Sequence, residues 1–323
     1  MLKHKMKMAG ALLAIAALAT ACGNSGDADG KNSDADGAST AIKVGVLPLA
    51  DYSPVYWAND KGYFEKQGLD VTLETLQGGP VGVQKVVTGE LEFSFANSIS
   101  TTIAAAKGAP VQTVALGSSL GEGSNNIYVK PDSDIKTMAD LDGKTVGTNT
   151  VNNVGDIAFA NLAKAQGVDA KPEWVEVPFP EMIPGVQNGS IEAGYVPEPF
   201  ATAARQAGLR EVVQLVQGPN EALPLATFVT STQYAEQNPE IVKKFATAID
   251  EARADMAQSE DEIRTWLPAA TGTDPSAAKE MKLPLFDVQL THDSMQRIAD
   301  VLIDLGLVDA DYKVEDHTIT SED

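Results

Sequence analysis

The chain has 323 residues, 24 Lys and Arg against 45 Asp and Glu, a formal net charge of −21 and one cysteine. So acidic a chain excludes docking on nucleic-acid phosphates or on anionic lipid, both of which demand a basic surface. A single cysteine excludes internal disulfides, so the folded body relies on packing, and its length of about 280 residues beyond the leader favours two domains over one core.

At the N-terminus, Lys3, Lys5 and Lys7 precede an apolar run from Met8 to Ala21 that is too short to span a bilayer and has the layout of a secretion signal. Ala19-Thr20-Ala21 supplies small residues before Cys22. This junction resembles a bacterial lipoprotein signal, in which Cys22 would become the lipidated first residue. One departure is that Ala19 stands where that pattern prefers Leu, with Leu18 one place upstream. An ordinary secreted chain is the alternative. The reading is therefore a signal peptide over 1–21, then Cys22 and a tether over 22–40, rich in Gly, Asp, Asn and Ser. Such a segment buries too little apolar surface to offset chain entropy. A diacylglycerol would hold the chain firmly on the outer side of the cell membrane, facing the periplasm where a second membrane exists.

Strands and helices then alternate. "AIKVGVLPL" predicts a strand, and "SPVYWANDKGYFEKQG" a helix with Ser53 as N-cap, Pro54 in the first turn and Gly68 at the C-terminal end, although Gly62 marks a possible early break. "LDVTLETL", "LEFSFAN" and "VQTVALGSS" predict strands, with helices over "PVGVQKVVTG" and "SISTTIAAAKG" between them. "NNIYVK" predicts a strand leaving this first domain, and "SDIKTMADLDG" a short helix. "KTVGTNT", "PEWVEVP", "IEAGYVPEP" and "REVVQLV" predict further strands, with helices over "VNNVGDIAFANLAKAQG" and "PFATAARQAG" and a connection over "PEMIPGVQNGS". "LATFVTS" predicts a strand returning to the first domain, and helices follow, including "PEIVKKFATAIDEARADMAQ" and "THDSMQRIADVLIDLG". The β-α repetition predicts an α/β fold with mainly parallel sheets.

In such sheets small ligands bind where strand C-termini pass into helix N-termini. Five junctions qualify: "PLADYSP", "FANSIS", "LGSSLGEGS", "TNTVNN" and "VPEPF". They nominate as ligand-binding residues Asp51, Tyr52 and Ser53; Asn97 and Ser98; Gly117 and Ser118; Thr148, Asn149 and Thr150; and Tyr195 and Glu198. Polar groups among a few aromatic walls make a pocket. The bland alternative for any single Ser or Asn, and for Glu198, is helix capping. "GGPVG" reads as a turn opening a helix, Tyr56 and Trp57 as core, Trp266 as packing at a helix end and "SEDE" as solvated surface.

"GYFEKQGLDVTLE", "GELEFSFAN", "DLDGKTVGTN" and "YVPEPF" resemble the nitrate/sulfonate/taurine and thiamine-precursor group of solute-binding proteins that serve ABC importers. The resemblance implies the type 2 periplasmic-binding-protein fold: two α/β lobes joined by two crossing hinge strands, closing over a ligand. It implies lobe 1 from 41–126 plus 231–323 and lobe 2 from 127–230, with "NNIYVK" and "LATFVTS" as crossovers. The implied partners are a small-molecule solute and a membrane permease, with a monomeric chain, no catalytic residues, no metal and no cofactor. The junctions hold no Lys or Arg but do hold Asp51, Glu122 and Glu198. A sulfonate or taurine-like solute leads, followed by a thiamine-precursor pyrimidine stacked on Tyr52 or Tyr195, then nitrate. An enzyme alternative exists in the yeast-type pyrimidine synthases, which depend on a cysteine cluster and a histidine. Here Cys22 is the only cysteine, and His292 and His317 lie far from every junction in sequence.

Overall fold

β-Branched and aromatic runs punctuated by Gly and Pro form ten strands and twelve α-helices among the described residues, 39–321, of the computed structural model. The expected signal peptide, Cys22 and the tether up to residue 38 lie outside the described residues. Thr40, placed at the end of the tether, already belongs to the first strand.

The first run comprises β1 (Thr40–Val46), α1 (Ser53–Asp60), α2 (Tyr63–Lys66), β2 (Leu69–Thr75), α3 (Gly79–Val87), β3 (Phe93–Asn97), α4 (Ser98–Ala106) and β4 (Val111–Ser119). The second comprises β5 (Asn125–Val129), β6 (Thr145–Thr148), α5 (Val154–Gln166), β7 (Glu173–Glu176), α6 (Phe179–Asn188), β8 (Ala193–Pro197), α7 (Phe200–Gln206) and β9 (Arg210–Gln214). β10 (Pro224–Ser231) leads into α8 (Thr232–Gln237), α9 (Pro239–Met256), α10 (Glu260–Thr271), α11 (Pro275–Glu280) and α12 (His292–Asp304).

Two five-stranded sheets result, in the orders β2-β1-β3-β10-β4 and β7-β6-β8-β5-β9. β1 runs parallel to β2 and β3, and β6 parallel to β7 and β8. Each sheet has one antiparallel insertion: β10 between β3 and β4, and β5 between β8 and β9. These are the two strands read as crossovers. Because β10 pairs along its length with β3 and β4, residues 224–231 belong to the first sheet.

Four local differences from the sequence reading stand out. The single helix expected over 53–68 is broken at Gly62, whose φ of 75° lies in the left-handed region that glycine tolerates. Ser53 is the first helical residue rather than the N-cap, and its hydroxyl donates to the Ala50 carbonyl at 2.6 Å. The short helix expected around Met138 is only a 3₁₀ turn, Ala139–Leu141. There the Asp140 carboxylate accepts the backbone N–H groups of Lys136 at 3.0 Å and Thr137 at 2.9 Å, a local arrangement that competes with helix. "PEMIPGVQNGS", taken as a connection, is largely α6, which tolerates Pro184 while burying Phe179, Met182 and Val186 along one face.

The first sheet is backed by an aromatic stack, with Phe93 and Phe245 of α9 at 4.0 Å between centroids and Phe64 5.5 Å from Phe245. Trp57 is fully buried, donates its indole N–H to Asp255 at 2.7 Å and meets Trp266 edge-on at 4.8 Å. Among the described residues, no helix is long and apolar enough to cross a membrane.

Candidate functional site: a cavity between the two sheets

Four strand-to-helix passages converge on one cavity. β1 leads through Leu47 and Leu49 into the 3₁₀ turn Ala50–Tyr52 ahead of α1; β3 passes directly into α4 at Asn97; β6 leads past Asn149 to α5; and β8 ends at Pro197 before α7. Asp51, Tyr52, Asn97, Asn149 and Tyr195, all nominated from sequence, line the cavity together. Its free volume is about 40 Å³, room for only a few waters and far below an ordinary ligand pocket. In this arrangement the sheets are closed on one another.

The closure has a named latch. Asn97 caps α4 by accepting the Ser100 N–H at 2.8 Å, and Asn153 caps α5 by accepting the Val154 N–H at 2.8 Å. Across the gap, the Asn97 amide donates to the Asn153 side-chain oxygen at 2.7 Å, and the Asn153 amide donates to the Ser100 hydroxyl at 2.9 Å. Two helix N-termini, one from each sheet, are thus tied by side-chain amides. Asp156 completes the α5 cap by accepting the Asn153 N–H at 2.8 Å, and burial pushes its carboxyl up from the ordinary value.

Asp51 is the one charged residue among those lining the cavity. It is 2 % exposed, and its Oδ1 has no hydrogen-bond partner among the described residues. Burial pushes its carboxyl up to about 7, helped by the negative charge of Glu198 and opposed by a backbone hydrogen bond. Burial also raises the Tyr52 and Tyr195 phenols well above their ordinary value, with Asp51 adding to both. The Tyr195 hydroxyl donates to Asn125 Oδ1 at 2.6 Å. Tyr52 lies edge-on to Phe95 at 4.9 Å, and Phe179 stacks on Phe200 at 5.5 Å.

The other nominated residues are placed around the cavity rather than among the residues that line it. Ser98 donates to the Pro224 carbonyl at 2.7 Å, and Ser118 to the Asp51 carbonyl at 3.0 Å, so both brace the chain behind the cavity. Gly117 packs so close to Phe228 that a Cβ there would meet the ring at 3.2 Å. The Thr148 hydroxyl faces the Thr150 carbonyl at 3.4 Å, and Thr150 reaches toward Gly78. Glu198 is 1 % exposed and fully engaged: it accepts from the Thr202 N–H at 3.0 Å, the Thr202 hydroxyl and Arg205 at 2.9 Å, and the Lys282 N–H at 3.1 Å.

Sequence reading missed Asn125, Asn153, Phe95, Phe179, Gly79 and Leu225, all of which line the cavity. Asn153 carried a usable signal, Asn followed three residues later by Asp before an apolar run, which is the capping-box pattern. Phe179 fell between the strand read over "PEWVEVP" and the connection read over "PEMIPGVQNGS", in neither of them. A larger surface cleft of about 540 Å³ opens beside Lys130, Asp134, Lys144 and Glu192. Lys144 and Glu192 pair with each other at 3.0 Å, both half exposed, so the cleft has the character of solvated surface. Among the described residues, no cluster of His, Cys, Asp and Glu could hold a metal ion.

A family model described as NMT1/THI5 like matches residues 50–263. The taurine-binding periplasmic protein of Escherichia coli is 26% identical over 231 residues, 70% of this chain and 69% of that protein. The 4-amino-5-hydroxymethyl-2-methylpyrimidine phosphate synthase of Aspergillus parasiticus is 27% identical over 215 residues, 62% of this chain and 61% of that protein. Among solved structures, the alkanesulfonate-binding protein SsuA of Xanthomonas axonopodis pv. citri bound to MOPS superposes with a TM-score of 0.70 at 18% identity, covering 87% of this chain and 98% of that one. The fold is that of the two-lobed periplasmic binding proteins.

Proposed function

The chain belongs to the NMT1/THI5-like family, and on that premise we propose that it is the extracytoplasmic solute-binding component of an ABC importer, capturing a small organic solute of the sulfonate or taurine type between two closing lobes. The observation that carries this reading is the meeting of α4 and α5, one from each sheet, through Asn97 and Asn153 at 2.7 Å over a cavity lined from both sides. The lobes follow 41–126 with 231–323, and 127–230, except that β10 (224–231) pairs within the first sheet and the whole of β5 (125–129) within the second. β5 and β10 are the crossings about which they open.

In this closed arrangement the cavity has only about 40 Å³ of free volume beneath the Asn97–Asn153 contact, so entry requires the lobes to part, and they close around a solute less tightly than they do here. Solute then gains contacts from both lobes and favours closure by its differential affinity for the closed state. A permease reading the closed face would receive only loaded protein. No bond is made or broken in this cycle. The resemblance implies that the pyrimidine-synthase alternative needs a cysteine cluster, whereas this chain's only cysteine is Cys22. Lipidation at Cys22 would keep a monomeric receptor beside its permease.

A second reading, an aminopyrimidine precursor of thiamine, is favoured by the aromatic walls Tyr52, Phe95, Phe179 and Tyr195. Nitrate falls behind, because none of the lining residues is Lys, Arg or His. The test is thermal unfolding of the purified chain against taurine, alkanesulfonates, pyrimidines and nitrate. A true ligand raises stability by RT ln(1 + [L]/Kd), about 2.7 kcal/mol at one hundred times Kd. Conversion of any of these compounds on incubation would instead favour the enzyme.

A further inference from the structure

We propose that Asp51 selects the solute by its nitrogen. The cavity takes a protonated amine, or an N–H-bearing heterocycle, set on an apolar or aromatic body, and rejects inorganic and organic anions that lack such a group. This rests on the solute-binding reading above and adds to it the chemical class of the solute and the residue that decides it.

The first ground is an acceptor that the protein itself leaves unanswered. Asp51 is 2 % exposed, lines the cavity and has an Oδ1 with no hydrogen-bond partner among the described residues. A buried carboxylate of this kind is costly unless something else meets it, and a solute N–H supplies both charge and hydrogen bond. Glu198, the nearby acid, does not compete for that role, because Arg205, Thr202 and the Lys282 N–H already satisfy it.

The second ground is the state of the donors that an anion would use. Anions at strand-to-helix junctions are held by free N–H groups of the helix first turn. Here the Ser100 N–H is given to Asn97, the Val154 N–H to Asn153 and the Thr202 N–H to Glu198. α1 carries Pro54, which has no N–H, in its first turn. One first-turn N–H of each of these three helices is thus taken by the protein's own oxygens.

The third ground is the wall. Tyr52, Phe95, Phe179 and Tyr195 line the same cavity as Asp51. Ring faces attract cations and offer a stacking surface to a planar heterocycle. Taurine satisfies the proposal through its amino end, leaving its sulfonate to a neutral donor such as Asn149.

The experiment is isothermal titration of the purified full-length chain with pairs matched except for the nitrogen. Taurine is compared with ethanesulfonate, and a 4-aminopyrimidine with the same ring lacking the amino group; nitrate is also titrated. Within at least one pair, the amine-bearing member is expected to bind about 10- to 100-fold more tightly than its partner, the range of a charge-assisted hydrogen bond. Asp51→Asn is expected to bring that ratio to within about threefold while urea unfolding shows the variant folded. Should ethanesulfonate or nitrate bind the wild-type chain as tightly as the amines, or should Asp51→Asn keep the preference, the selectivity assigned to Asp51 is overturned and solute capture stands. Should no member of either class bind, solute capture of this kind is overturned and the role of Asp51 with it.

Discussion

Replacing Asp51 by asparagine preserves the shape of a buried side chain and removes its charge, so the consequence for stability follows from its protonation. Burial pushes the carboxyl up to about 7 from an ordinary 3.8. The folded chain keeps a proton that the unfolded chain releases near pH 4. This group's contribution is therefore full below the unfolded value and is lost as pH rises through 7. Three tenfold steps in proton affinity, at roughly 1.4 kcal/mol each, correspond to about 4 kcal/mol, and relaxation with water entry into the cavity lowers this to about 2–3 kcal/mol. The assay is urea unfolding of the wild-type chain and Asp51→Asn at pH 4.5, 6 and 8.5. Asp156 and Asp250 are also raised by burial, but both proteins carry them, so their effects cancel in the difference. The Tyr52 and Tyr195 phenols stay protonated throughout the range. The variant should gain about 2–3 kcal/mol on the wild type between pH 4.5 and 8.5. A difference that stays constant across that range refutes the reasoning.

Other substitutions probe the latch and the frame. Asn153→Ala removes the α5 cap and strands the Asn97 amide that donates to it at 2.7 Å, so denaturant unfolding should show a loss of about 1–3 kcal/mol. Gly155→Val places a Cβ 2.6 Å from the Tyr195 ring, with Thr148 at 2.8 Å, and should cost about 1–3 kcal/mol in the same measurement while weakening solute binding, since the ring lines the cavity. Arg205→Met leaves the 1 % exposed Glu198 without its cation, and an unfolding free energy lowered by about 2–3 kcal/mol is expected in urea. Trp57→Phe leaves Asp255 without the 2.7 Å indole bond and opens space against Trp266, with a loss of about 1–2 kcal/mol expected in urea.

Much of the scaffold was legible because its elements carry local signals. β4 falls on "VQTVALGSS" with matching ends, β5 falls within "NNIYVK", and β10 extends "LATFVTS" by one residue at its start. Strand-end position made Asp51, Tyr52, Asn97, Asn149 and Tyr195 visible as a group, since β-α order alone puts such residues on one edge. Long-range partners were not legible. Nothing in the spacing of Asn97 and Asn153 announces that they meet across 56 residues. Phe95 sits inside a strand whose face is set by pairing with distant strands, opposite Phe228 on β10 and beside β1. Glu198 and Arg205 are seven residues apart, on either side of the start of α7, and their pairing depends on where that helix begins. A helix expected around Met138 gave way to an aspartate whose side chain gathered nearby N–H groups first.

Small-angle X-ray scattering of the purified chain, alone and saturated with an amine-bearing solute that titration shows to bind, measures the clamp itself. Closure of two lobes over the cavity predicts a smaller radius of gyration in the loaded protein, and Asn97→Ala should blunt the change by removing the latch. Scattering curves that superpose with solute bound would contradict a hinge between the lobes and place the solute on a rigid body.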